Sequence, residues 1–179
     1  MRHLLLTFAS IFCAMSLNAQ ESSNFTIIDG VKLIWQKVYE TKLSEEDLLN
    51  TLINSGNFTD IVTIDGKTTF NVNRIKVNYE SAGYSRMDIP IYVSANDLSC
   101  FVTIQVKEGR YRVTAEKISL VSHTTGGLYV EGETTPIETH AVKRGGYTNH
   151  FNKSPKIIYD KCLTDLFVIK EKAYINEDW

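Results

Sequence analysis

The sequence predicts an α+β fold, a curved antiparallel sheet of about five strands with two helices packed on one face. Three observations predict it. Branched and aromatic runs with period-two alternation are separated by turn signals at Asp65-Gly66 and Glu108-Gly109. Two stretches, 44–56 and 154–172, combine a cap with helical spacing of apolar residues. The order strand, helix, four strands, helix lacks the regular βα alternation of a parallel sheet, so both helices belong on one side of an antiparallel one.

The 179-residue chain opens with MRHLLLTFASIFCAMSLNAQE. Arg2 and His3 precede an apolar run from Leu4 to Leu17 and a small residue, Ala19, which is the plan of a secretory signal peptide cut after Ala19. The run is shorter than the ~20 residues a membrane span needs. Residues 1–19 are therefore expected to be removed and 20–179 exported as one domain, to the periplasm, the outer-membrane surface or beyond, with no transmembrane segment after cleavage. Cys13 follows Ile11 and Phe12 rather than a small residue, which argues against lipidation. Cleavage leaves Cys100 and Cys162 in an oxidising compartment where they could pair. Cys100 in phase with Val102, Ile104 and Val106, and Cys162 on the apolar side of a helix, read more strongly as small core residues than as a disulfide, and spacing alone leaves the pairing open.

After a polar leader, Gly30 to Glu40 reads as the first strand. Ser44 then caps a helix with Asp47 three residues on, a stripe of Leu48, Leu49, Leu52 and Ile53, and Gly56 at its end. Further strands are expected at Phe58 to Ile64, Thr69 to Tyr79, Ile89 to Val93 continuing through CFVTIQV, and Tyr111 to Val121. The apolar phase slips twice: Phe70 and Val72 oppose Ile75 and Val77, and Tyr111 and Val113 oppose Ile118 and Leu120. A period of two changes face only through a bulge, so bulges are expected near Asn73 and Glu116. From 122 to 153 the pattern dissolves into a long segment with paired glycines at 126–127 and 145–146, either a flap or a hidden hairpin with GLYVEGE as one strand. Ser154-Pro155 opens the last helix, expected to run to Lys172 with Ile158, Cys162, Leu166 and Ile169 on its inner side. Because 122–153 lacks apolar periodicity, replacing His123 to Asn152 with a Gly/Ser linker is expected to change stability by no more than ~1–2 kcal/mol.

The NAQ ending of the leader, the strand VKLIWQKVYE, the capped helix and above all VTIQVKEGRYRVTAEKISL resemble a family of exported proteins of Gram-negative gut bacteria, a domain of unknown function with a TATA-binding-protein-like fold. The resemblance covers roughly Val31 to Val121 and the final helix. It implies a curved antiparallel sheet under two helices and brings no activity, cofactor or binding residue with it.

A hydrophobic content of 43% with 22% charged residues is that of a water-soluble domain, and a formal charge of −2 gives no footprint for nucleic acid. No catalytic constellation stands out. His123, His140 and His150 are too widely spaced for a metal pair on one element, Ser81 and Ser122 sit in no strand-to-helix elbow, and the glycine pairs lack the lysine and hydroxyl of a phosphate loop. No catalytic residue, metal or cofactor is therefore expected, and the protein is read as non-enzymatic. Arg110, Arg112, Thr114 and Glu116 share one strand face, opposite Tyr111, Val113 and Ala115. With Phe101, and Tyr92 beside them, Arg110 and Arg112 are the candidates for a protein or peptide site on an uncovered face, since interfaces favour arginine and aromatics. The competing function is a small-ligand or lipid carrier with a pocket between the sheet and segment 122–153, lined by Tyr129, Tyr147 and Phe151 with Arg144.

Overall fold

The computed structural model describes residues 23–54, 58–127 and 129–169. The expected signal peptide, the helix-ending Gly56 and the tail from residue 170 lie outside them. The strands are β1 (Phe25–Ile28), β2 (Lys32–Glu40), β3 (Phe58–Ile64), β4 (Lys67–Ile75), β5 (Asn96–Lys107), β6 (Arg110–Ser122), β7 (Thr134–Pro136), β8 (Val142–Lys143) and β9 (Gly146–Tyr147). The helices are α1 (Glu45–Ile53), α4 (Ser154–Phe167) and two single turns, α2 (Ile91–Ser94) and α3 (Glu138–Ala141). A seven-stranded antiparallel sheet runs in the order β1-β2-β6-β5-β4-β3, with β7 also pairing with β6, and α1 and α4 share a core with its inner face. The α+β antiparallel class is as the sequence predicts, with more strands than the five expected.

Both expected bulges are present, and they lie side by side. Pairing of β4 with β5 shifts between Val72 and Ile75, and pairing of β5 with β6 shifts between Ser99 and Phe101. In each the extra residue turns left-handed, Arg74 at φ 50° and Lys117 at φ 50°. The two flank the same two residues of β5, Ser99 and Cys100, so three neighbouring strands bend at one level. Beyond that bend β6 changes neighbour: β2 covers its edge from Arg110 to Ala115, and β7 covers Ser119 to Val121.

Several expectations are corrected. Phe25–Ile28 is a strand and not a leader. A turn at Asp29-Gly30 folds it onto β2, and Asn24 and Trp35 donate to Asp160 Oδ1 on α4, the Trp35 Nε1 bond being 2.7 Å. Ile91–Ser94 is a helical turn instead of a strand, because Pro90 withholds a ladder donor and presets a helix start. In α1 Leu48 and Leu52 are buried while Ile53 stays exposed. The inner line of α4 is Ile158, Tyr159, Leu163 and Phe167, a rotation from the expected line through Cys162 and Leu166, and the helix stops at Phe167, short of Lys172. Trp35 and Phe70 on the sheet face Phe167 and set that rotation.

The largest correction concerns 122–153. This segment carries β7, α3 and the β8–β9 hairpin, and it buries Ile137, Ala141 and Phe151 completely. Ile137 N–H donates to Ile118 O, and Glu138 Oε1 accepts from Leu33 N. The β8–β9 turn meets the β1–β2 turn so closely that a Cβ on Gly30 would sit 3.5 Å from Gly145 Cα, and both glycines have positive φ. The segment belongs to the core, so its replacement by a short linker is no longer expected to be mild.

Candidate partner-binding face

Each sheet strand presents one face to the helices and the other outward. On β6, Tyr111, Val113 and Ala115 are buried while Arg110, Arg112 and Glu116 are exposed. Register places the outward residues of five strands in rows. One row reads Val38, Arg112, Gln105, Lys67, Ile64 from β2 across to β3, and the next reads Gln36, Thr114, Thr103, Thr69, Val62. No helix among the described residues covers these rows, and Val38, Val62 and Ile64 remain 54%, 49% and 65% exposed.

At the hairpin end of this face Val38, Gln105, Lys107, Arg110 and Arg112 line a shallow depression of about 230 Å³. Lys107 is the cross-strand partner of Arg110 over the Glu108-Gly109 turn. Arg112 Nη2 donates to Gln105 Oε1, so its guanidinium is tied to the neighbouring strand rather than to Glu116. Glu40 lies opposite Arg110 on β2, but among the described residues neither Lys107, Arg110 nor Arg112 forms an ion pair. Three cations thus converge beside one exposed valine. Farther along, Phe101 is half-buried and Lys117 Nζ lies 5.6 Å from its ring centroid, the left-handed bulge having brought that lysine over it.

Of the six candidate binding residues, the structure therefore keeps Phe101, Arg110 and Arg112 on one face and brings the two arginines into one depression. Tyr92 is not beside them: it is buried on α2 and stacks on His140 at 4.1 Å. Tyr129, Arg144 and Tyr147 lie away from the hairpin end. Tyr129 bridges to Gly126 beyond the last residue of β6, and Arg144 is in the β8–β9 turn against the start of β2. Tyr147 Oη donates to Phe25 O, and Lys156 Nζ sits 4.2 Å from its ring. Phe151, expected to line a carrier pocket with Tyr129 and Tyr147, is buried edge-to-face against Phe25 and shows no surface to a ligand. Sequence reasoning missed Val38, Gln105 and Lys107. The last two share the phase of Arg110 and Arg112 across the hairpin and were readable, whereas Val38 required knowing that β2 pairs with β6.

The reactive groups elsewhere are quiet. Cys100 and Cys162 are free thiols, pushed up by burial to about 12 and about 11. Tyr159 and Tyr92 are raised by burial, Tyr92 to about 12, and each hydroxyl is buried without a hydrogen-bond partner among the described residues. His123 Nδ1 lies 3.1 Å from Asp97. Among the described residues no group of three His, Cys, Asp or Glu side chains could hold a metal ion, and no helix is long and apolar enough to cross a membrane.

No protein-family model matches the chain, and no curated protein matches it by sequence. Among solved structures it is similar to a TBP-like protein from Parabacteroides distasonis, with 13% identity and a TM-score of 0.49 over 79% of this chain and 91% of that one. It is also similar to a DUF4468 family protein from Bacteroides ovatus, with 14% identity and a TM-score of 0.47 over 84% of this chain and 94% of that one.

Proposed function

We propose that the protein is an exported, non-catalytic binding module that takes a protein or peptide partner in the cell envelope on the open face of its sheet. One observation carries the reading: a five-strand surface that no helix among the described residues covers gathers Arg110, Arg112 and Lys107 around an exposed Val38 in a single depression. Arginine beside apolar side chains is what interface centres favour. Export rests on the basic, apolar and small residues that open the sequence. A binding role in preference to catalysis is supported by the raised thiols, which leave neither cysteine a ready nucleophile.

Site-specific photo-crosslinking tests the reading. A photoreactive residue replacing Gln105 is expected to give discrete adducts in envelope extract, and one replacing the exposed Thr51 of α1 is expected to give none. Indistinguishable adduct patterns from the two positions, or none from position 105, would reject the open face as the binding surface.

A further inference from the structure

Resting on the open-face reading, we infer that the depression at the hairpin end recognises an extended acidic peptide segment carrying carboxylates at alternate positions. The chain as a whole is acidic, with a formal charge of −2, yet this end of the face collects Lys67, Lys107, Arg110 and Arg112 in adjoining rows. Glu40 opposite Arg110, Glu108 in the hairpin turn and Asp65 beside Lys67 are three carboxylates against four cations, which leaves the patch net cationic.

Arg110 and Arg112 are two residues apart on one strand, so they point the same way about 6.6 Å apart along it. Side chains two apart on a second extended chain have that same repeat. An extended ligand running along β6 therefore sets one carboxylate over each guanidinium, while a ligand with carboxylates on adjacent residues turns one of them away. Arg112 is already held by Gln105, so its fork is oriented before a ligand arrives and its remaining N–H groups can engage a carboxylate. Arg110 is left for the second carboxylate and Lys107 adds attraction from across the turn. Val38, 54% exposed on the row of Arg112, offers an apolar contact to the methylene groups of the glutamate set over that arginine.

The test uses the whole protein and three fluorescent peptides of one length: one with Glu and Val alternating, one of the same composition with its Glu residues adjacent, and one with Gln for every Glu. Anisotropy is expected to show the alternating peptide binding at least about tenfold more tightly than the adjacent one, with affinity falling as salt rises. The Gln peptide is expected not to bind. The Arg110→Ala, Arg112→Ala double variant should lose about tenfold or more, and Lys143→Ala, a change of an exposed cation on β8, should lose nothing. Retention of full affinity by the double variant, or equal binding of the alternating and adjacent peptides, overturns the inference. Tighter binding to phosphatidylglycerol vesicles than to the alternating peptide, lost in the double variant, also overturns it in favour of an anionic membrane surface. Arginine-dependent binding of the Gln peptide overturns the acidic preference but leaves the open-face reading standing, and failure of all three peptides overturns the inference while the crosslinking experiment judges the broader reading independently.

Discussion

The two faces of β6 are built from the same thirteen residues and do opposite things. Its inner side chains share one buried core with Trp35, Phe70 and the line Ile158, Tyr159, Leu163 and Phe167 of α4. Its outer side chains meet Gln36, Gln105 and the ring of Phe101. Tyr111 Oη reaches across the core to donate to Phe167 O at 2.6 Å, whereas Arg112, one residue on, is spent on a single exposed side-chain amide. Stability therefore resides on one side of the sheet, and the other side is free to carry recognition.

The buried side of the sheet is most severely disrupted at segment 122–153. Replacing 123–152 with a Gly/Ser linker removes two fully buried large side chains, Ile137 and Phe151. Each such loss costs about 2–5 kcal/mol, against a typical total stability of about 5–15 kcal/mol. The cooperative urea transition is expected to disappear. A preserved transition within about 2 kcal/mol of the parent would show the segment to be an ornament.

A single change in the same place is milder. Phe151→Ala is expected to destabilise by about 3–5 kcal/mol, since the ring packs against Phe25, Tyr147 and Tyr159 and its removal leaves a cavity. Chemical denaturation should show a lower midpoint at unchanged slope.

A pH effect comes next. Burial lowers the pKa of His140 below its ordinary 6.5. The unfolded chain then takes up that proton more readily than the folded one, so this contribution is complete above pH 6.5 and is lost as pH falls below it. His140→Phe keeps a ring on Tyr92 and is expected to flatten the decline in denaturation midpoint between pH 7 and 5. An unchanged slope would mean that the imidazole is as easily protonated in the fold as out of it.

The smallest effect is expected on the open face. Arg110→Ala with Arg112→Ala should leave stability within about 0.5 kcal/mol, because exposed charges without ion pairs contribute little. A loss above 1 kcal/mol would sharpen the comparison in the opposite direction, by showing that the outer face also holds the fold.

What local sequence decided was whatever one element can decide alone. Period-two alternation with Asp65-Gly66 and Glu108-Gly109 set two hairpins, Ser44 set the start of α1 through its bond from Asp47 N, and the slipped phase located two bulges. The same alternation put Arg110 and Arg112 on the outer face, because which side a residue takes is a local property of an extended chain.

The tertiary structure decided everything that depends on a neighbour distant in sequence. FTII becomes a strand because β2 offers it an edge and Asp160 fixes its entry. Ile137 and Phe151 become core because β6 beyond its bulge needs another partner on the side that β2 has left. Val38 joins the two arginines only through the pairing of β2 with β6, separated by some seventy residues. No residue in those contacts carries a signature of its partner, since hydrophobic burial and ladder hydrogen bonds are indifferent to sequence distance and are resolved only when the whole sheet closes on its helices.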